Sequence, residues 1–278
     1  LQYLLHCQRC LEFSMLNRLL ITGANGGVAK LIYPLLTEVA SSICLTDINK
    51  IDHIGPNDDV VIGDLADPSF VNDVVEGCDG VLHLGGISQE NSFKNLLPAN
   101  FIGVHNLYQA AAKFSKPRII FASSNHAVGG YRSDQLIGAN ARTNPDSYYG
   151  VSKVFGESVA QLYHLKEGVE TAIVRIGSCF EKPGDPRMLS TWFSPKDFAS
   201  LIQCCFDADT LGCRIIYGVS DNQTAFWEND QLDGLGWLPS DSADSFGGNL
   251  VGWQATSETD GLLEFHGGVW VRAPLIND

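Results

Sequence analysis

The heptapeptide Ser147-Tyr148-Tyr149-Gly150-Val151-Ser152-Lys153 sets a phenol and an ammonium four residues apart. Beyond it Val151, Val154, Phe155, Val159, Leu162 and Tyr163 recur at helical spacing, so both side chains leave one face of one helix. A cation beside a phenol favours the phenolate, whose reference pKa of about 10 otherwise keeps it protonated at neutral pH. Such a pair can take and return a proton. An ordinary amphipathic helix also carries Tyr-x-x-x-Lys by chance, so the pair means catalysis only in the right company.

A second constellation lies near the start of the chain. The apolar run 16–22 breaks at Gly23-Ala24-Asn25-Gly26-Gly27 before a helical pattern over residues 28–36. Strand, glycine turn and helix in that order let backbone approach a pyrophosphate, and make Gly23, Gly26, Gly27 and Val28 candidates for it. Ala29 stands where a third glycine is common and still permits close packing. A tight turn that binds nothing fits the same residues. Asp47, twenty-four positions after Gly23, ends the apolar segment 43–46. A carboxylate there accepts from ribose hydroxyls and repels a 2′-phosphate, favouring NAD over NADP, with Lys50 as the counter-signal.

Further along, Asp64-Leu65 closes the segment 60–63 and suits an adenine amino group and ring; a plain turn residue is the other reading of Asp64. Leu84-Gly85-Gly86-Ile87-Ser88 follows the next apolar segment, and its glycines admit a ligand to the backbone. Segment 118–123 runs into Ser123-Ser124-Asn125-His126, a polar cluster that costs stability unless something uses it. His126 alone is more ordinarily a loop histidine. Arg187, in the loop Pro183-Gly184-Asp185-Pro186-Arg187, can grip a carboxylate bidentately or sit solvated at the surface.

These groups meet only if the scaffold gathers them. Strand-like and helical segments alternate from residue 16 to residue 176, including helices over 99–114 and 149–167 and a strand over 171–176. That alternation predicts an α/β fold, a Rossmann-type doubly wound parallel sheet, with ligands at the carboxyl ends of its strands. Beyond, a helix over 195–207 and a strand over 214–219 are expected, and the loop 129–146 is expected to lie over the site. Residues 15–278 read as one NAD-binding domain whose small, irregular C-terminal region, from about residue 177, completes the substrate side. Residues 1–14 lack a secretory pattern and precede Met15, so they are expected to be a non-native or disordered leader.

With 278 residues, 18 Lys and Arg and a net charge of -14, the chain is a poor match for nucleic acid. No run of about 18 apolar residues spans a bilayer, and a cytoplasmic protein is expected. Cys44 and Cys204-Cys205 lie in apolar segments, so the eight cysteines do not suggest disulfides. Cys7-x-x-Cys10 lacks a second ligand pair, so no metal is expected.

Together, Thr22-Gly23-x-x-Gly26, a serine closing the fifth strand and Tyr149-x-x-x-Lys153 resemble the extended branch of the short-chain dehydrogenase/reductase superfamily. Ser124, twenty-five residues before Tyr149, suits that family, and Asn100 in Asn100-Phe101-Ile102-Gly103 matches its helix asparagine, which supports the active-site helix and a water linked to the lysine. More narrowly, His83-Leu84-Gly85-Gly86-Ile87-Ser88, Phe121-Ala122-Ser123-Ser124-Asn125-His126, Val174-Arg175-Ile176-Gly177-Ser178-Cys179 and Arg187-Met188-Leu189-Ser190-Thr191-Trp192-Phe193 look like the uronate dehydrogenases. The likeness runs from about Asn17 to Phe265-His266-Gly267-Gly268, and departs from the family at Ala29, at the loop 131–145 and in the leader.

The resemblance implies NAD-dependent oxidation of a hexuronate, such as glucuronate or galacturonate, at C1 to the aldarolactone. It makes Tyr149 the base, Lys153 the holder of the nicotinamide ribose and stabiliser of the phenolate, and Ser124 the partner of the reacting oxygen. Arg187 would read the C6 carboxylate, with Ser88, Asn125, His126 and Ser178 on the hydroxyls. Gly27 and Val28 would meet the pyrophosphate, Asp47 the ribose, Asp64 and Leu65 the adenine, Leu84, Gly85 and Gly86 the cofactor's middle, and Cys179 the carboxamide region through its backbone. A homo-oligomer stays open. Two alternatives also stay open: a nucleotide-sugar epimerase or dehydratase, which usually needs a larger C-terminal lobe, and a non-catalytic NAD-sensing module, which would not need Ser124, Tyr149 and Lys153 together.

Overall fold

Apolar and β-branched residues make the first strand, β1 (Leu16–Thr22), and the glycine turn delivers the chain into α1 (Gly27–Ile32). The chain then runs through β2 (Ala40–Asp47), β3 (Asp59–Ile62), α2 (Pro68–Val75), β4 (Gly80–His83), α3 (Phe93–Leu96), α4 (Val104–Lys113), β5 (Arg118–Ser124), α5 (Tyr148–Glu167) and β6 (Thr171–Ile176). It ends with β7 (Ser178–Cys179), α6 (Met188–Thr191), β8 (Trp192–Phe193), α7 (Pro195–Asp207), β9 (Cys213–Gly218) and short 3₁₀ turns. The computed structural model describes residues 15–52, 54–250, 254, 256 and 261–278. The expected leader, with Cys7-x-x-Cys10, lies outside the described residues.

Seven parallel strands form one sheet in the order β3-β2-β1-β4-β5-β6-β9. β1 pairs with both β2 and β4, so the order reverses direction there and opens a crevice at the carboxyl ends. Inner strands are covered on both faces, which is why they read as continuous apolar runs. Leu19 and Ile21 join Phe198, Leu201 and Ile202 of α7 in one core layer, while Leu20 joins Leu107 and Tyr108 of α4 and Ala160 of α5 in the other. The seventh strand, β9, comes from the sequence beyond residue 177 and pairs in parallel with β6.

Local chemistry explains where the elements stop. Ser147 caps α5 by accepting from the Gly150 amide at 3.0 Å, and Gly168, at φ 73°, ends it in the left-handed region. The helix expected over 28–36 leaves the α form after Ile32 and tightens into a 3₁₀ turn, Tyr33–Leu35, at Pro34. The single helix expected over 99–114 instead starts at Phe93 and passes through a π-helical stretch, Leu97–Gly103, before α4. Pro98 lies at the start of that stretch and has no amide to donate. The loop 129–146 is tied to the C-terminal segment: the His266 amide donates to the Tyr131 carbonyl at 2.8 Å, and the Gly267 amide to that of Gly129 at 2.9 Å. Among the described residues, no helix is long and apolar enough to cross a membrane.

Candidate active site

At the crevice beside β1 the backbone is packed without room for side chains. Gly23 has φ +68°, and a Cβ there would stand 2.7 Å from the Gly85 Cα. The Gly85 amide donates to the Thr22 hydroxyl at 3.1 Å, which joins the ends of β1 and β4. Over this junction opens a cleft of about 350 Å³ bordered by Gly23, Gly26, Gly27, Val28, Asp47, Asp64, Leu65, Leu84, Gly85 and Gly86. Ser88, expected on the sugar side, borders the same cleft.

The residues present fit a dinucleotide. Asp47 Oδ2 accepts from the Asn25 amide at 3.0 Å and Oδ1 from the Asn49 amide at 2.9 Å, so the carboxylate is held in place with a lone pair left on each oxygen. A Cβ built on Gly27 meets nothing within 4 Å, so backbone faces the cleft openly there. Lys50 is ion-paired with Asp52 at 2.7 Å at the surface.

Tyr149 and Lys153 sit next to this cleft, joined to its Ile87 border through Asn100 and Ser152. Tyr149 is in the first turn of α5, buried, with its phenol hydrogen-bonded to Ser124. The Lys153 ammonium donates to the Ala122 carbonyl at 2.7 Å and lies 5.4 Å from the centre of the Tyr149 ring. Asn100 bridges the neighbouring elements. Its Nδ2 donates to the Ser152 hydroxyl and to the Ile87 carbonyl, both at 3.0 Å, and its Oδ1 accepts from the Ile87 amide at 2.8 Å.

Burial governs the electrostatics of the pair. It pushes the Tyr149 phenol up to about 12, opposed by the Ser124 hydrogen bond and reinforced by the charge of Asp146. It pushes Lys153 down to about 8, opposed by Glu157. The sequence expectation that the lysine tips the balance toward phenolate is outweighed in this geometry by desolvation.

On the far side of Ser124, one backbone carbonyl organises two expected sugar contacts. The His266 oxygen accepts from Asn125 Nδ2 at 3.3 Å, from Arg187 Nε at 3.0 Å and from Arg187 Nη2. Arg187 is buried, and among the described residues it pairs with no carboxylate. Burial pushes its guanidinium down to about 10, although Asp185 and Asp146 act in the opposite sense. Ser178 shares a 2.8 Å hydrogen bond with Thr191, and the Cys179 side chain is packed in the core, which leaves only its backbone for a ligand. His126 Nδ1 lies 2.8 Å from Asp146 Oδ2, its ring stacked on Trp270 at 3.9 Å and edge-on to Tyr149 at 5.8 Å.

Residues 19–193 match the model of the NAD dependent epimerase/dehydratase family. The chain belongs to that family. Uronate dehydrogenase from Agrobacterium fabrum is 45% identical over 94% of this chain and 98% of its own length. A mutant uronate dehydrogenase from Agrobacterium tumefaciens, solved with NAD, superposes with a TM-score of 0.91 at 44% identity, over 94% of this chain and 99% of that one. A glucuronic acid dehydrogenase from Chromohalobacter salexigens gives 0.90 at 44% identity, over 94% and 98%. The likeness read from the motifs thus extends over nearly the whole chain.

Four residues near Tyr149 and Lys153 had no role in the sequence reading. Glu90 accepts from the Tyr148 amide at 3.1 Å and from that of Tyr149 at 2.9 Å, holding the start of α5 from the loop that carries Ser88. His266 is fully buried, accepts from Trp227 Nε1 at 3.1 Å and donates from Nε2 to the Gln135 carbonyl at 3.0 Å. Asp146 and Trp270 both contact His126. Only His266 had a signal, in Phe265-His266-Gly267-Gly268; the others act through contacts between segments distant in sequence.

Proposed function

We propose that this chain oxidises hexuronates, glucuronate or galacturonate, at C1 to the aldarolactone, with NAD as the hydride acceptor. The observation that carries this reading is Arg187. A buried guanidinium with no carboxylate partner costs several kcal/mol, and an anionic ligand offsets that cost. Its Nε and one Nη2 hydrogen are given to the His266 carbonyl, so Nη1 and the rest of Nη2 remain, and the grip on a C6 carboxylate is end-on. A neutral hexose offers no such partner. The relatives named uronate dehydrogenase and glucuronic acid dehydrogenase, and the one solved with NAD, support the same choice.

Bound at the cleft, NAD supplies the acceptor for the hydride leaving C1. Tyr149 takes the C1 hydroxyl proton, with Ser124 holding the reacting oxygen. The Lys153 charge, 5.4 Å from the phenol ring, favours the phenolate that burial resists. Lys153 also meets the nicotinamide ribose, and Asn100 keeps the helix beside it in register. Asp47 takes the adenosine ribose, Asp64 and Leu65 the adenine, Gly27 and Val28 the pyrophosphate, and the Cys179 backbone the carboxamide. Ser88, Asn125, His126 and Ser178 take sugar hydroxyls. Residues 15–278 act as one catalytic unit, in the cytoplasm.

The test is NADH formation followed over many turnovers with glucuronate, galacturonate, glucose and nucleotide sugars. Multiple turnovers on the two uronates and little on the others is the expected result. Conversion of a nucleotide sugar without accumulation of NADH would replace this reading with that of an epimerase or dehydratase.

A further inference from the structure

Asp146 has no place in the roles assigned above, yet its carboxylate is the most enclosed acidic group at the site. Its side chain is fully buried, with Oδ2 2.8 Å from His126 Nδ1 and Oδ1 accepting from the Ser147 hydroxyl at 2.7 Å. Two glycines wall it in, since a Cβ on either Gly129 or Gly267 would overlap the carboxylate. The backbone on both sides is therefore shaped to this one side chain.

A carboxylate only accepts hydrogen bonds, so the ring nitrogen facing it carries the hydrogen and the other nitrogen of a neutral ring is an acceptor. Its neighbours fix the plane of the ring, and a half-turn within that plane would trade the bond to Asp146 for a C–H contact. Trp270 lies on one face at 3.9 Å and 18° between planes, and the Tyr149 ring meets its edge at 5.8 Å and 71°. Among the described residues, no protein group bonds to His126 Nε2.

We propose that Asp146 is a positioning residue: it locks His126 as the Nδ1–H tautomer, so that Nε2 is presented as an acceptor for a sugar hydroxyl beside the Tyr149 phenol. The proposal rests on the reading of the site as one that binds a sugar. It adds a selection rule, because an acceptor fixed at that point takes a free hydroxyl and leaves an O-methylated or deoxy position unsatisfied. A group that holds a ring only for stability has no such consequence.

The experiment is nitrogen NMR of the full chain carrying isotope-labelled histidine, with His126→Gln used to assign the His126 signals, alongside steady-state kinetics. In the unmodified protein His126 is expected as Nδ1–H. In Asp146→Asn the amide can donate to Nδ1, and the tautomer is expected to shift toward Nε2–H. The uronate KM should rise about tenfold or more, as for a buried hydrogen bond lost, while the KM for NAD stays within about twofold. Gly267→Ala keeps the carboxylate and displaces it, and should move tautomer and uronate KM in the same direction, so an Asp146→Asn chain that fails to fold leaves a second test. A His126 found as Nε2–H, or with hydrogen on both ring nitrogens, in the unmodified protein overturns the proposal. So does a variant with unchanged tautomer and uronate KM. The tautomer is read without substrate, so failure to oxidise uronates counts against the proposed function and not against the Asp146–His126 assignment.

Discussion

Tyr149 and Arg187 are both polar groups that burial makes uncomfortable, one pushed up to about 12 and the other down to about 10. Each is tolerable where a ligand completes it. For Tyr149 the consequence is a pH dependence with a definite sign: the base form is scarce at neutral pH, so kcat/KM for uronate rises with pH from neutrality up to about 8, where Lys153 begins to lose the charge that favours the phenolate. A profile that falls over that interval contradicts the assignment. Tyr149→Phe removes the proton acceptor and should abolish turnover while NAD still binds, by titration of the cofactor; retained turnover refutes Tyr149 as the base. That Tyr149 and Lys153 share a helix face and that Ser124 lies at a strand end was legible from periodicity, while their roles were expected only from the family resemblance. Asp146, Trp270 and Glu90 were not legible, because each touches the site from a loop or turn whose course depends on the whole fold.

At the scale of elements, α5 is the positioning device. Its first amides have acceptors of three kinds: the Ser147 hydroxyl takes that of Gly150, the Ser147 carbonyl that of Val151, and Glu90 those of Tyr148 and Tyr149. Glu90→Ala leaves two amides without their acceptor and should lower stability by about 1–2 kcal/mol. Because one amide belongs to Tyr149 itself, kcat should fall with it, and Glu90→Gln should recover part of both. Urea unfolding and turnover measured on the same preparations check this; a full kcat in Glu90→Ala would show that the helix start needs no outside support. The spans of α5 and β6 could be read from the sequence, from the helical spacing beyond Tyr149 and the apolar run that follows it. The helix over 99–114 could not, because Pro98 starts a π-helical stretch inside a pattern that looked continuous.

Over the whole molecule, the doubly wound sheet was legible from alternating apolar strands and helices, and its order places the cofactor cleft where β1 separates β2 from β4. The C-terminal segment was not legible, since its contribution is a set of carbonyls and turns, such as the His266 oxygen, with no periodic signal. Two buried histidines tie global stability to pH. Burial, with Lys153 adding to it, pushes His83 down to about 3, and burial pushes His266 down to about 4. The unfolded chain takes up these protons near pH 6.5 and the folded chain does not. Stability from both is therefore complete above that pH and is lost as pH falls toward about 4, at about 1.4 kcal/mol per pH unit for each. Urea midpoints that stay level across this range would contradict two neutral, buried rings.

The central claim, that a buried arginine selects a sugar acid, is tested most directly by comparing galacturonate with galactose in the unmodified chain and in Arg187→Ala. Loss of one partner from a buried, hydrogen-bonded charge pair costs about 2–5 kcal/mol. The kcat/KM for galacturonate should accordingly fall by roughly thirtyfold or more, while that for galactose, already low, changes by less than about threefold. Equal loss on both sugars, or an unmodified chain that oxidises galactose as well as galacturonate, would contradict it.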